Sequence, residues 1–374
     1  MRCSRIKESR FSALLGVVLC GLLWIQGAAN AAEIQVPEKY ESIQEAIDVA
    51  LPGDIISIDG GVYYENLDLK GKSIVLKSRS ASNPAVLDGG GESGSLLQCI
   101  SGEGSTTRVD GLTFRQGLGD NTLYGDTALV GGGVLIRDSS PTLNACRFEL
   151  NFVTYNGGGI YARNSNSQII NCQFIDNNAE KGAAIYATGS RMEIRQCLFE
   201  QNNARFGGGA VFSDNRSLVR IDRCRFIENR ASFNGGAIYD YDSSTIVMNS
   251  IFLNNIGAFK GGAAYHGWRS RGRMGVGNDF RTPNDDVDGS GRTINESNPL
   301  GACFIGESCV MAQKKACEDG EGVWAGPDTT CDESEPGQAL PRRARGDLNR
   351  DGVVDVRDMA ILMSSWGSRA NRLP

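Results

Sequence analysis

The sequence predicts an all-β protein whose body is a right-handed parallel β-helix solenoid, and three observations carry that prediction. A phenylalanine recurs at Phe148, Phe174, Phe199, Phe226 and Phe252, so successive copies stand 26, 25, 27 and 26 residues apart. Two residues before each stands Cys146, Cys172, Cys197, Cys224 or Ser250, and three residues after it Asn151, Asn177, Asn202, Asn229 or Asn255. A small-residue turn then leads into an aliphatic–aromatic pair, as in Gly158-Gly159-Ile160-Tyr161 and Gly236-Ala237-Ile238-Tyr239. A period of this length is that of a stacked repeat.

Within a unit the apolar pattern alternates too quickly for a helix. Ile169 points inward, Asn171 marks a corner, and Cys172 and Phe174 alternate with exposed Gln173; Leu143, Ile194, Ile221 and Val247 hold the Ile169 position elsewhere. Alternation that changes parity at a polar pair means two short strands meeting at a bend. Such a unit cannot bury its inner face alone, so units must stack. Parallel stacking at roughly 4.8 Å sets like residues over one another, with phenylalanine and cysteine inside and asparagine amides bonding along the axis. The usual crossover rule makes the coil right-handed. A leucine-rich or helical solenoid would need a leucine pattern or a helical period, and neither is present.

These Phe-x-x-Asn and Gly-Gly-Ala-Ile spacings resemble the polymorphic outer-membrane protein repeat of bacterial surface proteins. The resemblance covers five units and implies a passenger-like surface solenoid. The membrane β-barrel that ends the best-known members has no counterpart in alternating ten-residue strands here.

Taken in order, the chain opens with Arg2, Arg5, Lys7 and Arg10 before an apolar run, Phe11 to Ile25, and Ala29-Asn30-Ala31. Residues 1–31 therefore read as a cleaved signal peptide, which places the mature chain outside the cell or on its surface with no transmembrane segment. Residues 32–268 form the β-helix. Ser42-Ile43-Gln44-Glu45 is a capping box, and Ile43, Ala46, Ile47, Ala50 and Leu51 share one face of a short helix that Pro52-Gly53 ends. Such a helix caps the open end of a coil of strands. Strands are expected at Ile55–Ile58, 67–69 and 74–76, with earlier coils at 86–89 and 111–114 and a loop thrown out at 117–127. The line from Pro52-Gly53-Asp54 to Gly61-Val62-Tyr63-Tyr64-Glu65-Asn66 resembles the opening of pectate-lyase-like β-helix proteins, pectin methylesterases included. That resemblance implies fold and not chemistry.

Residues 269–300 read as a terminal coil and linker. Asn284, Asp286, Asp288 and Gly289 imitate part of a calcium loop, but its closing position falls on Asn295, so a polar turn is expected. Residues 301–333 hold Cys303, Cys309, Cys317 and Cys331, which in an exported chain imply a module with two disulfides in one of three connectivities. Without Cys-x-x-Cys or a nearby histidine, zinc is disfavoured. A linker, 334–345, follows.

Residues 346–367 carry the sharpest local motif. Asp347, Asn349, Asp351, Asp355 and Asp358 occupy positions 1, 3, 5, 9 and 12 of a loop with Gly352 at position 6 and the Val353 carbonyl at position 7, an oxygen set suited to Ca2+. Met359, Leu362, Met363 and Trp366 make one face of the helix that leaves it. The stretch resembles a type I dockerin repeat, in which Asp closes the loop. The resemblance implies calcium ligation by Asp347, Asn349, Asp351, Val353, Asp355 and Asp358 and a cohesin-like docking partner, although a complete dockerin has two copies and one stands here.

Catalytic material is scarce. The chain has one histidine, His266, expected at a coil end, and neither the Gly-His-Gly of polygalacturonase-like hydrolases nor the signatures of pectin methylesterases. If the protein is an enzyme, Asp214, Arg216, Asp240 and Asp242 in matching turns are the candidates, with Asp240 and Asp242 on one face as an acid–base or calcium pair. A solvated charged edge is the plainer reading. The cysteine column reads as buried free thiols, and Tyr161, Tyr186, Tyr239 and Tyr265 as either a sugar-stacking stripe or packing. Forty-eight glycines and 7% aromatic residues suit turn-rich β structure, and a net charge of −6 argues against nucleic acid. The sequence therefore points to an exported, non-catalytic β-helix that binds polysaccharide or cell-surface glycan and docks or anchors through its calcium tail. The alternative is a polysaccharide lyase or glycoside hydrolase acting on acidic polysaccharide.

Overall fold

The computed structural model describes residues 31–121, 128–281 and 286–289, together with the backbone of five short strands between 300 and 341. Short strands coil through about nine turns and pair in parallel into three long sheets, of ten, nine and nine strands. The ten-stranded sheet runs from Glu33–Val36 through Thr142–Asn144 and Leu218–Asp222 to Arg273–Met274. The second runs from Leu67–Asp68 to Val287–Gly289, and the third from Gly61–Tyr63 to Asp279–Phe280. The stretch read as terminal coil and linker thus supplies strands to all three.

Register puts like on like. Phe148 pairs with Phe174, Phe174 with Phe199, Phe199 with Phe226 and Phe226 with Phe252. Their rings stack at 4.7 to 4.9 Å, and the column reaches Phe114 at one end and Phe280 at the other. The asparagines form the expected ladder: each amide Nδ2 from Asn151 to Asn229 donates to the next Oδ1 at 2.9 Å, and that Oδ1 also accepts the backbone N–H of the residue before it in the column. Buried polar groups must be paired, and here each pairs with its own copy. Cys146, Cys172, Cys197 and Cys224 are buried free thiols whose sulfurs donate to backbone carbonyls. Burial holds the thiols of Cys146, Cys172 and Cys197 well above the ordinary range, so they stay protonated.

Many corners need a left-handed residue, and Asn171, Asp176, Gln196 and Gln201 take it. At Gly209 the need is for space, since a Cβ would stand 2.2 Å from the Gly236 carbonyl oxygen of the next coil. The capping helix spans Ile43–Val49 and buries Ile43, Ala46 and Ile47 over the first coil. Ser42 Oγ accepts the Glu45 N–H at 3.1 Å, while the Glu65 carboxylate takes the N–H groups of Ile43 and Gln44 at 2.9 and 3.0 Å. No helix among the described residues is long and apolar enough to cross a membrane.

A fourth, four-stranded sheet lies beside the second: Asn178–Lys181, Asn203–Gly207, Arg230–Ala231 and Ile256–Gly257. It explains the tyrosine column. Ile160 and Ile185 point into the main core, whereas Tyr161, Tyr186, Phe212 and Tyr239 point the other way into a second buried cluster with Val130 and Leu135. Phe206 packs against that cluster. Of the two readings of the tyrosines, packing holds for Tyr161, Tyr186 and Tyr239, which are buried, and Tyr265 packs half-buried at the end of the row. Burial pushes Tyr239 up to about 12.

Asp286, in the stretch that imitates a calcium loop, accepts the Gly262 N–H through Oδ1, and Asp288 pairs with Lys260 at 3.2 Å. Asn284 and Asn295 lie outside the described residues. Further on, Leu300–Ile305 pairs antiparallel with Ser308–Gln313 and Val323–Trp324, and Thr329–Cys331 with Ala339–Pro341. Cys303, Cys309 and Cys331 fall on these strands and Cys317 outside the described residues. The expected linker thus includes a paired strand, built on its one apolar step, Ala339-Leu340. The signal peptide up to residue 30 and the whole calcium loop, Asp347 to Asp358, also lie outside the described residues.

Candidate functional site

Near the C-terminal end of the solenoid, three successive turns leave the second sheet for the ten-stranded one and open a cleft of about 660 Å³. Arg216, Asp242, Arg269 and Arg271 line it, above Ser217, Ser243 and Ser270. Backbone bonds hold these turns in stack: Arg216 N–H donates to Asp242 O at 2.6 Å, Asp242 N–H to Trp268 O at 2.8 Å and Arg271 N–H to Ser243 O at 2.9 Å. Arg216, Asp242 and Arg269 sit at φ of 60°, 47° and 55°, the left-handed conformation that lets consecutive side chains leave a corner on the same side.

The charge in the cleft is lopsided. Three guanidinium groups face one carboxylate, and among the described residues none of the three forms an ion pair. Arg269 lies over the Trp268 ring, 4.1 Å from its centroid, which orders the guanidinium without neutralising it. Trp268 and Tyr241 are neighbours at 5.8 Å and stay 54% and 44% exposed, so an aromatic ledge borders the cations.

Of the four sequence candidates, Arg216 and Asp242 line the cleft, and Asp240 and Asp214 do not. Asp240 and Asp242 fail to share a face because the strand Ile238–Asp240 ends between them, and alternation does not continue through the bend. Asp240 is wholly buried and pairs in register with Ser213, not with Asp214. Asp214 accepts the Tyr186 hydroxyl at 2.5 Å.

His266, expected at a coil end, is wholly buried as well, because it continues the inward column of Ser213 and Asp240. Its Nδ1 and Asp240 Oδ2 share a hydrogen bond of 2.6 Å. Asp240 Oδ1 accepts from Ser213 Oγ at 2.6 Å and from Thr245 Oγ1, and Ser213 Oγ exchanges a 2.7 Å bond with Ser243 Oγ on the cleft floor. An aspartate, a histidine and a serine thus meet, but in the lumen, where substrate cannot reach. The serine also bonds the carboxylate, whereas a nucleophile would bond the imidazole.

A further column went unread in the sequence. Seven residues after each core phenylalanine stand Tyr155, Lys181, Phe206, Phe233 and Phe259. Phe206 stacks on Phe233 at 5.3 Å, and Lys181 caps the row over the Tyr155, Phe206 and Phe212 rings. Tyr155 and Phe206 pack against the second core, whereas Phe233 and Phe259, tilted on each other at 4.8 Å, stay 40% and 70% exposed.

Residues 99–280 match a family model described as a right-handed β-helix region. Among solved structures the chain is similar to a PL6 alginate lyase in complex with a trisaccharide, at 13% identity and a TM-score of 0.34, over 74% of this chain and 65% of that one. The chain thus spans less than two thirds of that lyase. It is also similar to the receptor-binding domain of the Siphovirus 9NA tailspike, at 10% identity and a TM-score of 0.19, over 83% of this chain and 85% of that one. No curated protein matches it. Neither structural likeness bears on the chemistry of this chain.

Proposed function

We propose that this chain is an exported β-helix that binds an acidic polysaccharide in the arginine cleft without cleaving it. The cleft carries the reading: Arg216, Arg269 and Arg271, without an ion pair among the described residues, stand against one carboxylate, Asp242, beside the ledge of Tyr241 and Trp268. Planar guanidinium groups pair with carboxylates or sulfates through two parallel bonds, and exposed aromatic rings stack on sugar faces. The only histidine and Asp240 are sealed beneath, which leaves Asp242 as the one carboxylate in the cleft.

Titration with polygalacturonate, a sulfated galactan and a neutral glucan tests this. The two acidic polymers should bind and the neutral one should not. Arg269→Ala/Arg271→Ala should weaken binding about tenfold or more, because a hydrogen bond to a charged group is worth about 1.5–3 kcal/mol. Equal binding of neutral and acidic polymer, or an unaffected double variant, would remove the cleft from consideration. Shortened polymer or unsaturated product, lost on Asp242→Asn, would make the protein an acidic-polysaccharide lyase or hydrolase instead.

The tail belongs to the same proposal as a calcium-held docking or anchoring element, and loop spacing alone supports it. Calorimetry on the secreted full chain should find one calcium site with a Kd of about 10⁻⁴ to 10⁻³ M. Asp347→Ala/Asp351→Ala should abolish it while polysaccharide binding persists. Undiminished calcium uptake by that variant would rule the loop out.

A further inference from the structure

We infer that the binding site continues out of the cleft as a groove along the outer face of the ten-stranded sheet, where Arg220 and Arg191 take further acidic groups of the same chain. The inference rests on the cleft being the polysaccharide site. It makes the ligand an extended, linear polyanion, longer than the cleft itself holds.

Register builds the groove from two outward rows. Arg191 pairs with Leu218 and Leu218 with Ser244, while Glu193 pairs with Arg220, Arg220 with Ile246 and Ile246 with Arg273. Met192, Val219 and Thr245, which alternate with them, are buried, so both rows face outward. On the next coil Arg271 follows Ser244, whose hydroxyl donates to the Arg271 carbonyl at 2.9 Å.

Three hollows share walls along these rows. Leu218 lines the cleft and also a hollow of about 280 Å³ beside Gln168, Arg191 and Arg220. Glu193 and Arg220 in turn border a third, of about 320 Å³, that reaches Met248. From the coil of Gln168 to that of Arg271 the path crosses four strand spacings of roughly 4.8 Å, or roughly 19 Å.

The path has cations to spare. Arg191, Arg220, Arg271 and Arg273 are exposed and form no ion pair among the described residues. The carboxylates beside them are already answered: Glu193 pairs with Arg195 at 2.5 Å, and Asp222 with Arg223 at 3.8 Å and the Asn249 amide at 2.7 Å. Between the guanidinium groups lie half-buried Leu218 and Ile246, with Met248 exposed at the edge. Acidic pyranoses carry apolar C–H faces with carboxylates at their rims, so an apolar floor flanked by guanidinium groups fits both. A pyranose advances its chain by about one strand spacing, and alternate sugars of an extended chain face the same way. Arg220 and Arg273 stand two spacings apart in one row, where alternate carboxylates would fall.

Calorimetry on the full secreted chain with a trimer and a hexamer of galacturonate tests this. The hexamer should bind about thirtyfold tighter or more, well above what its additional registers supply, because two more charged contacts form. Arg191→Ala/Arg220→Ala should remove most of that gain, and the trimer, which fits within the cleft, should lose little. Arg269→Ala/Arg271→Ala should weaken both. Arg205→Ala/Arg225→Ala takes the same charge from exposed positions on strands of other sheets and should spare the hexamer. A hexamer gain no larger than its registers supply, or a hexamer indifferent to Arg191→Ala/Arg220→Ala, would overturn the groove and leave the cleft standing. An equal loss in Arg205→Ala/Arg225→Ala would overturn it too, since general attraction would then explain the length dependence. If neither oligomer binds, the proposed function falls and the groove with it.

Discussion

Replacing Asn202 by alanine should destabilise the central coils by about 4 kcal/mol, because one wholly buried amide serves four partners at once. Its Nδ2 donates to Asn229 Oδ1 and to the Phe174 carbonyl, both at 2.9 Å, and its Oδ1 accepts the Asn177 N–H at 3.1 Å and the Asn177 amide at 2.9 Å. Alanine leaves buried groups unpaired on both neighbouring coils, each costing about 1–3 kcal/mol in full, with water entry recovering part. Asn202→Asp separates the roles. The carboxylate still accepts from Asn177 but cannot donate, and it brings a buried charge, so it should be no milder. Because a solenoid unfolds in linked segments, the measurement is amide exchange across residues 170–230 alongside urea denaturation. A loss below about 1 kcal/mol, a single ordinary hydrogen bond's worth, would mean that the ladder is ornamental.

The ladder was legible because it obeys one rule everywhere. Phenylalanine, cysteine and asparagine each keep one position, one side and one burial, so spacing alone told which way they point. The outer layer was not legible on those terms. Tyr161 and its copies sit outside the lumen by alternation, which reads as exposure until a second layer covers them, and the row that closes it passes through Lys181, where an eye for aromatics loses the thread. At the cleft the difficulty was parity. The rule that residues two apart share a face holds within a strand and fails across a corner, so Asp240 went to the lumen and Asp242 to the surface. His266 carried a usable signal, since it follows its small-aliphatic-aromatic turn as Asp240 and Ser213 follow theirs, but a lone polar residue gives little reason to expect a buried column.

That polar column has an energetic consequence. Burying an aspartate and a histidine seldom stabilises a fold relative to well-packed apolar residues, and earlier coils show that this position takes alanine, as at Ala162 and Ala187. The final coils thus trade packing for a polar bed beneath Arg216, Arg269 and Arg271, which form no ion pair among the described residues. The middle coils keep the apolar interior and provide the rigidity against which the cleft is held.

Phe199→Ala measures that rigidity, and it should cost about 4 kcal/mol, within the range for emptying a buried aromatic site. The ring is wholly buried and stacks on Phe174 at 4.9 Å and on Phe226 at 4.8 Å, so its removal interrupts the column and opens a void between two coils. The strands on either side are held in register by the backbone ladder and by Asn177, Asn202 and Asn229 and cannot close up, which argues for the upper part of the range. Phe199→Leu keeps much of the volume and should cost distinctly less, as hydrophobic replacements of similar size do. If the two variants lost stability equally, stacking geometry and not volume would govern the core. If neither lost more than about 1 kcal/mol, well below the usual cost of such a void, the coils would be shown to collapse around it. Polysaccharide binding gives the complementary readout. Phe199 lies away from the cleft, so a folded Phe199→Leu protein should bind polygalacturonate as the wild type does, and weakened binding would mean that the shape of the cleft depends on packing through the whole stack.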